Sequence, residues 1–446
     1  MKKAFVGATL VAVVLAASFY VTGRQVEKVL METLERMAAQ SPDLTVTPKG
    51  ISGGIFSSRL EYNIKLNLPP DRRNPSRPNL LSIDAVYDVA HGPAPIASGG
   101  LTPCMAEITS TFTVQQDSSP DIAAFFKELP ELEKSKARTR VGFDSSMSTA
   151  LEIPAFTKTV TNALGVPSTF AWKGLTGSFE MPGDFSSLTG ALAAPGLTIQ
   201  DKDASVTLGG MKCEVNARIL VRNLWSGHYS VRLDSLEVKP VNEERISIRD
   251  VAVAHSLTPR GDVMDYLIDA SGQFPVENGR QLPVKMSLAL KNLDIPALSD
   301  LADLMRKPPA PSISEAELRD IGNAMLPCSP RIELDAEAVE EGGKLTLHAE
   351  LHAEGMKTLP MHALQALPML RMSAGFSGRE EGVASLVCAL AANKQAGQSK
   401  EQCLASLTAQ VGQFADRGYI TREGGILAAR ALWDGTNFTI NGKQLR

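Results

Sequence analysis

Between residues 45 and 293 apolar and polar positions alternate with a period of two. From Ile55 to Leu68, the residues Phe56, Ser58, Leu60, Tyr62, Ile64, Leu66 and Leu68 share one side, and Ser57, Arg59, Glu61, Asn63, Lys65 and Asn67 the other. Successive side chains of a strand point to opposite faces, so this alternation predicts a strand with one apolar and one wet side. The pattern returns in Cys213, Val215, Ala217, Ile219 and Val221, in Tyr229, Val231 and Leu233, and in Val284, Met286, Leu288 and Leu290. Such strands belong to antiparallel sheet covered on one face only. Parallel βαβ units are disfavoured, because no long helical pattern separates these runs.

The first forty residues follow another rule. Residues 4–23 are an uncharged run behind Met1, Lys2 and Lys3. At about 1.5 Å per helical residue the run reaches about 30 Å, the thickness of a bilayer's hydrocarbon core. It is expected to be a transmembrane anchor crossing once, and the preceding lysines favour a cytoplasmic N-terminus with the bulk of the chain across the membrane. The other reading is a cleaved signal peptide with Ala16-Ala17-Ser18 or Val21-Thr22-Gly23 as its exit. Residues 24–42 continue as an amphipathic helix, with Val26, Val29, Leu30, Thr33, Leu34 and Met37 on one stripe. That stripe could meet a partner helix, lipid headgroups or the chain's own body. Ser41-Pro42-Asp43 ends it.

Beyond this stalk, residues 43–306 form the expected β-rich body, with a short surface helix between Ser118 and Lys136. The segment Lys-Pro-Pro-Ala-Pro-Ser at 307–312 is the predicted break, flanked by helices at 300–306 and 315–325. Residues 313–446 make a second α+β part. It comprises a hairpin through Glu340-Glu341-Gly342-Gly343, a helical pair over 382–414 and a closing β unit that turns at Asp434-Gly435. The predicted fold class is therefore mainly antiparallel β with short helices, elongated or two-lobed, on an N-terminal transmembrane helix.

Composition narrows the partners. With 45 basic against 49 acidic side chains, the chain lacks a basic excess for neutralising phosphates, and nucleic acid is not an expected partner. Five cysteines would face an oxidising space across the membrane, where pairing is the default. Cys388 and Cys403, on two short helices joined by a polar loop, are the candidate pair. No spacing matches a zinc pattern, so neither metal nor cofactor is expected.

Two segments tempt a catalytic reading. Gly50-Ile51-Ser52-Gly53-Gly54 is a literal GxSxG, but a nucleophile elbow needs a helix after the serine, and here a strand follows. A hydrolase using Ser52 is the remote alternative to a protein without enzymatic activity. His348-Ala349-Glu350-Leu351-His352 has the wrong order for a zinc helix and alternates as a strand, which makes a His/acid ladder with Glu333, Asp335 and Glu337 across the hairpin.

The chain resembles the YdgA/YihF family of bacterial envelope proteins. The matching features are the N-terminal anchor, Gly54-Ile55-Phe56-Ser57-Ser58 opening a strand, His91-Gly92-Pro93, Trp225-Ser226-Gly227, Leu290-Lys291-Asn292-Leu293-Asp294, and the close from Gly435 to Lys443 that contains Asn441-Gly442. The resemblance implies an inner-membrane anchor, a periplasmic β-rich body and no established catalytic residue. The five cysteines lie outside the family pattern. The expected role is to bind a lipid, a lipoprotein or a membrane protein through the β-rich body; a structural scaffold without a ligand groove is the alternative. A groove protein would expose residues such as Leu60, Tyr62, Ile64 and Val231, whereas a scaffold would bury them.

Overall fold

The computed structural model describes residues 18–19, 21–32, 34–35, 38, 43–68, 79–95, 102–161, 167–221, 224–241, 245–276, 280–306, 314–340, 343–360, 362–384, 388 and 400–445. The chain divides into two compact units. The first holds Met1–Lys202, Met211–Arg218 and Met305–Ala310; the second holds Asp203–Gly210, Ile219–Leu304 and Pro311–Arg446. The predicted break at 307–312 lies outside the described residues.

The chain is mainly antiparallel β-sheet with short helices. In the first unit the strands are β1 (Leu44–Gly53), β2 (Ser57–Leu68), β3 (Asn79–His91), β4 (Ala106–Val114), β5 (Lys136–Val141), β6 (Met147–Ile153), β7 (Phe156–Thr161), β8 (Pro167–Trp172), β9 (Leu175–Met181), β10 (Ser187–Ala194) and β11 (Leu197–Gln200). They pair in the order β1-β2-β3-β4-β5-β6-β9-β10, and β10 then takes the first part of β13 (Met211–Val221). Strands β7, β8 and β11 make a side ladder.

Helical residues at 18–19, 21–32, 34–35 and 38 form α1, which covers the apolar face of this sheet. Val26 and Leu34 are buried with Leu60, Tyr62, Val89, Ala106, Ile108 and Val141, and Leu30 and Met31 pack at the margin. Of the three places open to the amphipathic stripe, α1 takes the chain's own body. The helix spacing of its apolar residues and the period of two in β2 to β5 meet in one core. A second helix, α2 (Pro120–Glu128), starts with Pro120 and buries none of its residues.

No helix among the described residues is long and apolar enough to cross a membrane. Positions 4–17 and 20 of the apolar run lie outside the described residues. Its last residues belong to α1, where Phe19 is buried and its ring meets Phe56 edge-on at 5.1 Å.

The second unit is built on β12 (Ala204–Leu208), β14 (Leu224–Pro240), β15 (Ile246–Arg260), β16 (Val263–Pro275), β17 (Gln281–Asp294), β18 (Arg331–Glu340), β19 (Gly343–Ala353), β20 (Leu370–Arg379), β21 (Thr421–Glu423), β22 (Ile426–Trp433), β23 (Phe438–Ile440) and β24 (Lys443–Gln444). The ladder runs β12-β14-β15-β16-β17-β18-β19-β20-β22-β23-β24, with β21 also on β22. Helix α3 (Ile295–Arg306) begins five residues before the expected start, because Asp294 Oδ1 accepts the Ala297 backbone N–H at 2.8 Å and Pro296 suits a first turn. Its Ile295 and Leu298 pack on Leu220, Leu224, Leu257 and Met264. Helix α4 (Glu315–Met325) opens with a reciprocal capping box between Ser314 and Glu317. Cys388 is bonded to Cys403 on the helix Lys400–Asp416, with their Cα atoms 5.9 Å apart. Cys104, Cys213 and Cys328 are free thiols.

Candidate functional site

Several landmark residues of the sequence converge where α1 meets β2 and β3. The turn from Gly54 to Phe56 places Ile55 O 2.9 Å from His91 Nδ1, and Ser58 Oγ lies 3.0 Å from His91 Nε2. A carbonyl only accepts, so Nδ1 carries the ring proton, and in the neutral ring Nε2 accepts from the Ser58 hydroxyl. From the helix side, Glu27 brings Oε1 to 3.8 Å from Nε2 while its other oxygen accepts from Arg24 at 3.1 Å. Thr22 Oγ1 sits 3.0 Å from the Gly92 carbonyl oxygen. Gly92 can have no side chain, because a Cβ there would collide with the carbonyls of Cys104 and Met105. Glu27, Ser58 and His91 are all buried.

This arrangement binds the helix to the sheet. A serine beside an imidazole also suggests a nucleophile and its base, but the acid needed to orient the ring belongs on Nδ1, which here holds a backbone carbonyl. The Ser58 hydroxyl is moreover shut beneath α1. Ser52 lies elsewhere: Gly53 pairs with Ser58, so Ser52 projects to the face opposite Ser58 and His91. There it borders a cleft of about 550 Å³ with Ser57, Arg59, Asp88, Glu107 and Thr109. Arg59 is engaged by Glu61 at 3.0 Å and by Asp88 at 3.5 Å. Strand β1 ends at Gly53 and β2 follows, so the GxSxG segment has no helix after it.

The second unit has a polar and an apolar sheet face. On the polar face Asp335 pairs across the strands with His348, and Asp335 Oδ1 lies 2.8 Å from His348 Nδ1. Glu333 faces Glu350, with Lys291 at 2.6 Å from Glu333 and Arg331 at 3.2 Å from Glu350. The hydrogen bond from Lys291 holds the Glu333 carboxyl below the ordinary carboxylate range. Charges alternate on this ladder, and no group of three potential metal ligands is assembled among the described residues. Small residues, including Ala252, Ala254, Ser271 and Ser287, leave a groove of about 690 Å³ along this face.

The apolar face presents unbroken cross-strand rows. One passes through Val231, Val253, Ala270, Met286, Ala336, Leu347, Phe376 and Ala429 on eight successive strands. The next passes through Tyr229, His255, Ile268, Leu288, Leu334, Ala349, Ala374 and Ala431. Tyr229 stacks on His255 with ring centroids 4.7 Å apart, and Tyr266 meets the same ring edge-on. Burial pushes the Tyr229 hydroxyl above its ordinary pKa. The first row is nevertheless open: Val231 is 46% exposed, Val253 39%, Met286 42% and Leu347 42%. In the first unit Leu60 and Tyr62 are closed off by α1, at 0% and 4%.

Of the remaining landmarks, Trp225-Ser226-Gly227 lies within β14 and Leu290 to Asp294 at the end of β17, while the close of the chain forms a turn. Asn441 adopts a left-handed backbone with φ of 47°; its side chain accepts from Arg430 N at 2.8 Å and donates to Tyr419 O at 3.1 Å. Gly442 follows with φ of 77°. The contributions of Glu27 and of Gly23, whose backbone lies so close to the His91 ring that a Cβ would overlap it, go unseen in the sequence, where both fall inside segments read as anchor and stalk. A glycine at the junction of the apolar run and the amphipathic stripe was the available signal.

No curated protein and no solved structure matches this chain. The family model described as "Bacterial protein of unknown function (DUF945)" matches residues 1–446, and the chain belongs to that family.

Proposed function

We propose that the protein is a membrane-tethered, non-enzymatic component of the bacterial envelope whose second unit holds a lipid against its open apolar sheet face. The observation that carries this reading is the row from Val231 to Ala429, in which Val231, Val253, Met286 and Leu347 keep about two fifths of their surface in water. Contiguous exposed apolar surface of this kind marks a binding face in a soluble body. Eight strands at about 4.8 Å spacing make a row about 34 Å wide, more than the roughly 15 Å leaflet depth that one acyl chain spans.

The tether is the part of the apolar run that precedes α1, and the resemblance to inner-membrane-anchored YdgA/YihF proteins supports placing the body in the periplasm. The tether would keep the sheet face at high local concentration with respect to membrane lipids. The burial of Phe19 against Phe56 favours an uncleaved chain over cleavage after Gly23, which would remove a core residue and the helix turn that bears on His91. Ser52 and His91 project to opposite faces of their sheet, which supports the reading without catalysis.

The test is binding of an environment-sensitive phospholipid probe to the full chain. Met286→Glu and Leu347→Glu each put a charge into the open row, where desolvating a carboxylate opposes an acyl chain. Both variants are expected to weaken probe binding about tenfold or more while leaving circular dichroism unchanged, a drop of about 1.4 kcal/mol or more. Unaltered binding in both would refute the assignment of the face.

A further inference from the structure

The end of the first unit from which α1 emerges carries exposed apolar side chains that the core does not use. Ile55 and Phe56, in the turn between β1 and β2, are 46% and 51% exposed; Val21 on α1 is 60% exposed, and Phe143, after β5, is 57% exposed. They belong to one rim. The His91 backbone N–H donates to Phe56 O, Gly92 N–H to Met105 O, and Met105 N–H to Val141 O, which links the ends of β2, β3, β4 and β5 in one line. Phe143 lies two residues past Val141. Helix α1 enters at this rim, where Thr22 reaches Gly92, and runs down the sheet to Leu34. The described part of α1 therefore begins, with Ser18, at this end of the body.

We propose that this rim, with Val21, Ile55, Phe56 and Phe143 at its front, sits in the headgroup and upper acyl region of the bilayer that the N-terminal run enters. The inference rests on the anchoring part of the proposed function. Its occupant is a lipid surface, because the same end carries both the exposed side chains and the continuation of an apolar run that reaches residue 18. Phe19 on Phe56 fixes the turn to the helix, so the rim and the anchor would move as one piece. Interfacial elements bury their apolar side chains about 5–10 Å into this zone, a depth that single exposed Phe and Ile side chains can reach. Insertion of apolar groups should also persist at high salt, unlike attraction to anionic headgroups.

The experiment uses the full chain reconstituted into phosphatidylcholine vesicles, with and without lipid brominated near the headgroup end of its acyl chains. Ile55→Trp and Phe143→Trp place reporters on the rim. Phe125→Trp, on exposed α2 near the Asn79 end of β3, is the control at a distance of about 40 Å along a thirteen-residue strand. The fluorescence added by each variant is compared with that of the parent chain, and flotation reports anchoring. Expected is an approximately twofold loss of the added emission at residues 55 and 143 in brominated vesicles, in the presence or absence of high salt, with none at 125. A chain that floats with no quenching at either rim position overturns the interfacial rim and leaves the anchor standing. A chain that does not float overturns both.

Discussion

The backbone of Gly23 lies against the imidazole of His91 so closely that a Cβ at residue 23 would overlap the ring. The two residues belong to a helix and a strand that are distant in sequence, and their contact joins the apolar N-terminal segment to the folded body. His91 cannot retreat, because its two nitrogens are held by Ile55 O and Ser58 Oγ. Gly23→Ala is therefore expected to lower stability by about 1–3 kcal/mol, the range of an overpacked core. Gly50→Ala, where added atoms meet open space, should change stability by less than about 0.5 kcal/mol. Urea denaturation of the two variants against the parent chain checks the difference.

Replacing His91 by Ala should cost more than replacing Ser58. The first change strips partners from the buried Ser58 hydroxyl and from the Ile55 carbonyl and leaves Glu27 facing a void; the second leaves His91 its carbonyl partner. About 2–4 kcal/mol is expected for His91→Ala and about 1–2 kcal/mol for Ser58→Ala, from unsatisfied buried polar groups and lost packing. Equal and small effects in equilibrium unfolding would mean that the junction is not held through the imidazole.

Much of the sheet is legible in the sequence. In β2, β13, β14, β17, β18 and β19 alternation translates directly into two faces, because a half-buried strand must alternate. The start of α3 was not, since the alternation that ends at Leu293 masks the capping role of Asp294. The His91 junction was visible only as a set of separate landmarks: nothing local in Gly54 to Ser58 or in His91 to Pro93 records that Gly23 and Glu27 close over them. Nor does sequence distinguish Leu60, sealed under α1, from Val231, which stands open. Both occupy the apolar phase of a strand, and only the placement of a covering helix separates them.

Asp434 gives a pH signature. Its Oδ1 accepts from the backbone N–H groups of Asn437 at 2.7 Å and Thr436 at 2.9 Å, and from the Thr436 hydroxyl at 2.9 Å. These hydrogen bonds, the one from the Asn437 backbone foremost, hold the carboxyl well below the usual carboxylate range. In the unfolded chain the group takes up its proton at a higher pH than in the fold. The turn's stabilisation is thus complete above the ordinary carboxylate pKa and is lost as pH falls through the lower folded value. Carbon-13 titration should find Asp434 still ionised at pH values where an ordinary carboxylate is protonating; titration of Asp434 in the ordinary carboxylate range would contradict the turn geometry.

The Cys388–Cys403 bond closes a loop with a sequence separation of 15. Loop-closure entropy for that length corresponds to about 3 kcal/mol at most. Adding reductant to the parent chain should lower the melting temperature of the second unit, and the double variant Cys388→Ser, Cys403→Ser should reproduce that loss and no longer respond to reductant. A reductant response that survives in the double variant would point to other thiols.

On the proposed function, the apolar face of the second unit is a lipid-holding surface rather than sheet left bare. Its most direct test is to isolate the full chain from bacterial membranes under native conditions, extract what it carries and quantify lipid per chain by mass spectrometry. Near-stoichiometric lipid is expected in the parent chain, with a large loss in Leu347→Glu. A well-folded parent chain that is free of lipid, or one whose lipid content is indifferent to Leu347→Glu, would contradict it.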